Sequence, residues 1–112
     1  MERLRKNAQF SEVYSEHRSF ADKYFVMYVR KNGELFNRVG VSVSKKIGNS
    51  VVRHRVKRLV KEAFRNSEKM FNSGLDIVFV ARKNAAEMTY EETVKSLMGL
   101  AASHHILSET GK

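Results

Sequence analysis

The chain has 112 residues, 42% of them hydrophobic, which suits one domain spanning 1–112 with its own core and excludes wholesale disorder. There is no cysteine, so disulfide frameworks, thiol nucleophiles and cysteine-based zinc sites are excluded. With 21 Lys and Arg against 12 Asp and Glu, a net charge of +9, and no apolar run near the ~20 residues of a membrane span, the composition predicts a soluble intracellular domain with a polyanionic partner and no membrane.

In chain order, the N-terminus is basic (Arg3, Arg5, Lys6), and no apolar stretch follows it, so no secretory signal is expected. Asn7 is a candidate cap for a first helix over 8–16. Phe10, Val13, Tyr14 and His17 recur on one face of that helix. Residues 23–31 read as a strand rich in aromatic and β-branched residues, apolar on both parities. Asn32-Gly33 marks a turn. Residues 38–44 alternate cleanly. Val39, Val41 and Val43 form a face for the core, and Gly40, Ser42 and Ser44 form a flat face that either a helix or a ligand can approach.

The next segment holds most of the charge. Between Lys45 and Lys69 stand nine basic residues against Glu62 and Glu68, a net +7 of the chain's +9. Solvated helix faces normally mix signs, and this one hardly does. A long helix is predicted over 51–68. Val52, Val56, Leu59, Val60, Ala63 and Phe64 form its apolar stripe, and Arg53, Lys57, Lys61 and Arg65 form a cationic ridge beside it. Arg55 and Arg58 lie further round. Asn49 or Ser50 can cap the start, and Gly48 permits close approach. The first turn carries Arg53 and no acid, which is either a small unfavourable charge placement or a phosphate site together with Lys45 and Lys46. Residues 75–81 read as another strand. Thr89-Tyr90-Glu91-Glu92 fits a capping box, opening a last helix with Val94, Leu97, Met98 and Ala101 on its apolar side. The segment 108–112 is predicted to be a frayed tail.

The run from Ser42 to Arg58 (Ser-Val-Ser-Lys-Lys-Ile-Gly-Asn-Ser-Val-Val-Arg-His-Arg-Val-Lys-Arg) resembles the signature of the bacterial ribonuclease P protein subunit. So do the early Asn-x-x-Phe helix, the aromatic strand through Tyr28, Ala81-Arg82-Lys83 and Tyr90-Glu91-Glu92. One position departs: the family's central Asn between the two arginines is His54 here. The resemblance implies an α+β fold, a ribosomal-protein-like α/β sandwich in the order αβββαβα with a left-handed βαβ crossover through the basic helix. Only three strands are evident above, so a fourth is expected between the first helix and Tyr24, or near 34–37.

The resemblance further implies a cytoplasmic subunit of an endoribonuclease. In it a catalytic RNA removes the 5′ leader of precursor tRNA, with Mg²⁺ held by the RNA–substrate complex. The partners are then ribonuclease P RNA and precursor tRNA, and no obligate protein partner is expected. The RNA subunit is assigned to Lys45, Lys46, Asn49, Arg53, His54, Arg55, Lys57, Arg58, Lys61 and Arg65. The leader is assigned to a cleft of Phe10, Tyr14, Tyr28, Ser42 and Ser44, although Phe10 and Tyr14 also read as core anchors of a short helix. No catalytic or metal-ligating side chain is assigned in the protein, whose only aspartates, Asp22 and Asp76, lie far apart in sequence. The alternatives are a ribosomal-type structural RNA-binding protein and a free-standing nuclease, the latter disfavoured by this inventory.

Overall fold

The computed structural model describes residues 2–108. Its elements are β1 (Glu2–Arg3), α1 (Asn7–Ser15), β2 (Ser19–Ala21), β3 (Phe25–Lys31), β4 (Arg38–Ser42), α2 (Ser50–Ser67), β5 (Leu75–Ala81) and α3 (Tyr90–Ser103), with 3₁₀ turns at Glu68–Met70 and Lys83–Glu87. The five strands form one sheet in the order β1-β4-β5-β3-β2. β4 and β5 are parallel neighbours joined through α2, β1 is parallel to β4, and the β5–β3 and β3–β2 pairs are antiparallel.

Strand register sorts the side chains onto two faces. Val39 and Val41 pair with Ile77 and Phe79, which pair with Val29 and Met27. These residues meet Val56, Val60, Ala63 and Phe64 of α2 and Leu97, Leu100 and Ala101 of α3 in the main core. The predicted helix stripe is therefore the buried one. Gly40 pairs with Val78, which pairs in turn with Tyr28, on the other face, where α1 lies. Here, among the described residues, the buried cluster is Leu4, Val13 and Val78, with Phe10, Tyr14, Tyr28 and Val80 partly covered.

The fourth strand falls between the first helix and Tyr24, as β2, and residues 34–37 form no strand. A further two-residue strand, β1, was not evident in the sequence. Asn7 is the first helical residue and Lys6 the cap position; the side-chain carbonyl of Gln9 accepts from the Arg5 and Lys6 N–H groups at 2.9 and 3.1 Å. The polar side chain that closes the helix start thus comes from within the first turn. His17 lies beyond the helix, exposed, at φ 55°, and so leaves the Phe10 face. β3 begins at Phe25 because the Asp22 carboxylate accepts from both Tyr24 and Phe25 N–H at 2.8 Å and closes a turn there. β4 ends at Ser42, since the Ser44 carbonyl accepts from Ile47 N–H in the turn that follows. Asn49 caps α2 through Val52 N–H at 3.0 Å, and Thr89 and Glu92 form the expected capping box on α3. Residues 109–112 of the expected tail lie outside the described residues.

Candidate nucleic-acid interface

The single basic run in the sequence divides in space. The α2 ridge turns toward α1: Lys57 and Lys61 line an opening of about 380 Å³ whose other wall is Arg3, Arg5 and Phe10 and whose floor is β4. An adjoining opening of about 460 Å³ shares Arg5, Phe10 and Lys57 and continues past Tyr14 and Ser42. Together they form a groove with aromatic rings on the α1 side and cations on the α2 side.

Gly40 sets its depth. A Cβ there would lie 2.6 Å from Phe10 Cζ, so the ring rests directly on bare backbone. The flat face of β4 is thus shared, with α1 covering Gly40 while Ser42 stays in the groove wall. Tyr14 stands 6.5 Å from Phe10 and meets Tyr28 edge-on at 4.8 Å. Burial raises the Tyr14 phenol above its ordinary pKa, a hydrogen bond with Ser42 opposes the shift, and the neighbouring Tyr28 adds to it. Tyr28 backs Tyr14 and does not itself line the groove. Ser44 is exposed beyond the strand end and is also outside the lining.

The cations face one another without an acid between them. Lys61 is pushed below the usual lysine pKa, first by burial and then by Arg3 and Lys57. Among the described residues Arg3, Arg5, Lys57 and Lys61 make no ion pair. Arg53, one turn before Lys57, has a buried Nε with no hydrogen-bond partner. Converging unpaired cations raise one another's energy, and a bound polyanion relieves that repulsion. Arg3 and Arg5 were missed as site residues because the two-residue strand β1 and the short connection after it show no periodicity. Their basic character was the only available signal.

The remaining basic residues face elsewhere. Lys45, Lys46, Asn49, His54, Arg58 and Arg65 are exposed, and α2 has no acid in its first turn. Arg55 is already engaged: its guanidinium donates to the Met88 carbonyl at 2.7 Å and the Ala86 carbonyl at 3.4 Å, tying the turn after β5 to α2.

Both aspartates hold structure together. Asp22 closes its turn and accepts from Ser96 Oγ of α3. Asp76, 1% exposed, accepts from Arg38 Nε and Nη2 at 2.7 and 2.8 Å and from Asn32 Nδ2 at 3.0 Å. Arg30 lies 3.6 Å from Asp76 and 2.9 Å from Glu12, which links this network to α1 beyond the groove. Among the described residues no group of three or more His, Asp or Glu side chains gathers as a metal site. No described helix is long and apolar enough to cross a membrane.

Fold and groove together define a small α+β protein with a cationic helix laid beside an aromatic-walled cleft. The chain belongs to the ribonuclease P protein family, whose model, described as "Ribonuclease P", matches residues 1–104. It is 51% identical over 109 residues to the ribonuclease P protein component of Lachnoclostridium phytofermentans, covering 97% of this chain and 94% of that one. With the same component of Alkaliphilus metalliredigens it shares 45% over 106 residues, 95% and 96% of the two chains. Among solved structures it resembles the Staphylococcus aureus RNase P protein (TM-score 0.87, 33% identity, 96% and 99% covered) and the Thermotoga maritima RNase P protein (0.83, 32%, 92% and 97%). Family membership carries a subunit role in tRNA 5′ processing and disfavours the ribosomal-type reading.

Proposed function

We propose that the protein binds the catalytic RNA of ribonuclease P through the exposed side of α2 and holds the 5′ leader of precursor tRNA in the groove between α1 and α2. The observation that carries this reading is the opposition of the Phe10 and Tyr14 rings to Lys57 and Lys61 across β4. An unpaired strand presents base faces to aromatic rings and phosphates to cations, with stacking worth ~1–3 kcal/mol per base. A duplex hides its base faces and fits such a groove poorly.

On this reading Arg3, Arg5, Lys57 and Lys61 neutralise leader phosphates, and Ser42 and Tyr14 offer hydroxyls beside them. Lys45, Lys46, Asn49, Arg53, His54, Arg58 and Arg65 meet the RNA subunit at the start and outer side of α2, where the helix dipole favours phosphate. Arg55 acts through the turn it holds. The protein lowers the repulsion between two RNA strands. Hydrolysis belongs to the RNA, with Mg²⁺ held by the RNA–substrate complex, in the cytoplasm and without an obligate protein partner.

The test is precursor-tRNA cleavage by a bacterial ribonuclease P RNA at low Mg²⁺, with and without this protein. Restored 5′ maturation is expected. Absence of rescue despite tight RNA binding contradicts the proposal.

A further inference from the structure

A second opening lies at the other end of the sheet, on the face turned toward α3. Beside the start of β2, β3, the turns at Gly33 and Gly74 and the end of α3 enclose a cleft of about 580 Å³. Its apolar floor includes Val29, Leu75 and Ile106, and its charged lining includes Arg18 and Lys31 against one carboxylate, Glu34. Among the described residues neither Arg18 nor Lys31 forms an ion pair. The cleft therefore presents cations without internal partners, as the groove does, but beside β3 and the end of α3 instead of β4.

Beside it stands an aromatic ring without a core role. Phe20 sits on the edge strand β2 and is 48% exposed. It is propped by His104, which lines the cleft: the two rings are perpendicular with centroids 4.8 Å apart. His104 is itself fixed, 4% exposed, with Nε2 2.8 Å from the Met27 carbonyl. Burial, partly opposed by that hydrogen bond, lowers its pKa, so the prop is a neutral ring. A half-exposed ring packed against a residue that lines a cationic cleft favours a nucleic-acid strand over a simple anion, because only the former brings a base to stack.

We propose that this cleft is a second contact for single-stranded RNA, in which Phe20 stacks a base and Arg18 and Lys31 take backbone phosphates. Its occupant is a segment other than the one in the groove, since the two sites share no lining residue. The inference does not depend on the leader assignment.

The test is titration of the full chain with a short single-stranded RNA carrying 2-aminopurine, followed by its fluorescence and by backbone amide NMR. The amides of Phe20, Gly33, Gly74 and His105 are expected to shift saturably, and to do so also in Lys57→Glu, which disables the first groove. The exposed-surface double variant Arg18→Glu/Lys31→Glu is expected to weaken this response about tenfold or more. Phe20→Leu keeps apolar bulk and is expected to weaken it about fivefold or more, with loss of the stacking signal. Amides that stay still while those of the groove saturate overturn the proposal. So does an equal response to inorganic polyphosphate that Phe20→Leu leaves unchanged. A response in the groove alone supports the leader reading while refuting this one, so the two fail separately.

Discussion

The two faces of the sheet are built from the same strands but do different work. Among the described residues, nineteen buried hydrophobic residues form one cluster on the α2/α3 side, and three do on the α1 side. Alternate residues of β3, β4 and β5 supply both faces, so the contrast is one of covering rather than of strand composition. Two helices of 18 and 14 residues seal one face, whereas a nine-residue helix covers part of the other. What α1 leaves uncovered along β4, together with the flank of α2, becomes the groove. A small protein can thus keep its stability on one face and leave the other open for a ligand.

The strongest challenge to this division is a truncation on each side. Phe64→Ala removes a fully buried ring from the sealed face. It is expected to cost ~3–5 kcal/mol, a large share of a small domain's stability, in denaturant unfolding. Tyr14→Ala on the open face should leave most of that stability while weakening binding of a leader-bearing tRNA by ~1–3 kcal/mol. Comparable unfolding losses from both would erase the distinction. Smaller in effect, Gly40→Ala places a methyl against the far edge of the half-buried Phe10 ring, which must swing aside, so the stability loss should fall near or below ~1 kcal/mol, the low end of core overpacking. Because the ring lines the groove, leader affinity should fall with it in a binding titration.

Electrostatics sharpens the contrast further. Lys57→Ala removes one of the facing cations, so the slope of log affinity against log salt should become shallower by about one unit in a series of salt titrations. The smallest effect belongs to the sealed side. Burial, opposed by the Met27 hydrogen bond, depresses the His104 pKa below its unfolded value. The native state therefore binds fewer protons than the unfolded chain, and the contribution is present above the unfolded value of ~6.5 and is lost as pH falls through the lower folded value. Denaturation midpoints should decline between neutral pH and that region, and the decline should be reduced in His104→Asn.

Much of the sealed face was legible in the sequence. The valine alternation of β4, the stripe from Val52 to Phe64 and the Thr89–Glu92 box each carry a local period or cap that tertiary structure did not override. The open face was less so. Gly40 and Ser42 announced a flat surface, but whether a helix or a ligand covered it depended on the reach of α1, which no local pattern encodes. Lys57 and Lys61 read as part of one RNA-facing helix. Only the fold shows them turned toward Phe10, with Arg3 and Arg5 completing the ring of charge. Arg55 illustrates the same limit: its sequence position says exposed cation, while its partners are carbonyls 31 and 33 residues away.

The most direct measurement of the central claim is the affinity of the holoenzyme, assembled with ribonuclease P RNA, for precursor and for mature tRNA, in wild type and in Tyr14→Ala. The account predicts that the variant loses affinity for the precursor about fivefold or more and binds mature tRNA as before. Equal affinity for the precursor in both proteins, or an equal loss for both substrates, would contradict the placement of the leader in the groove.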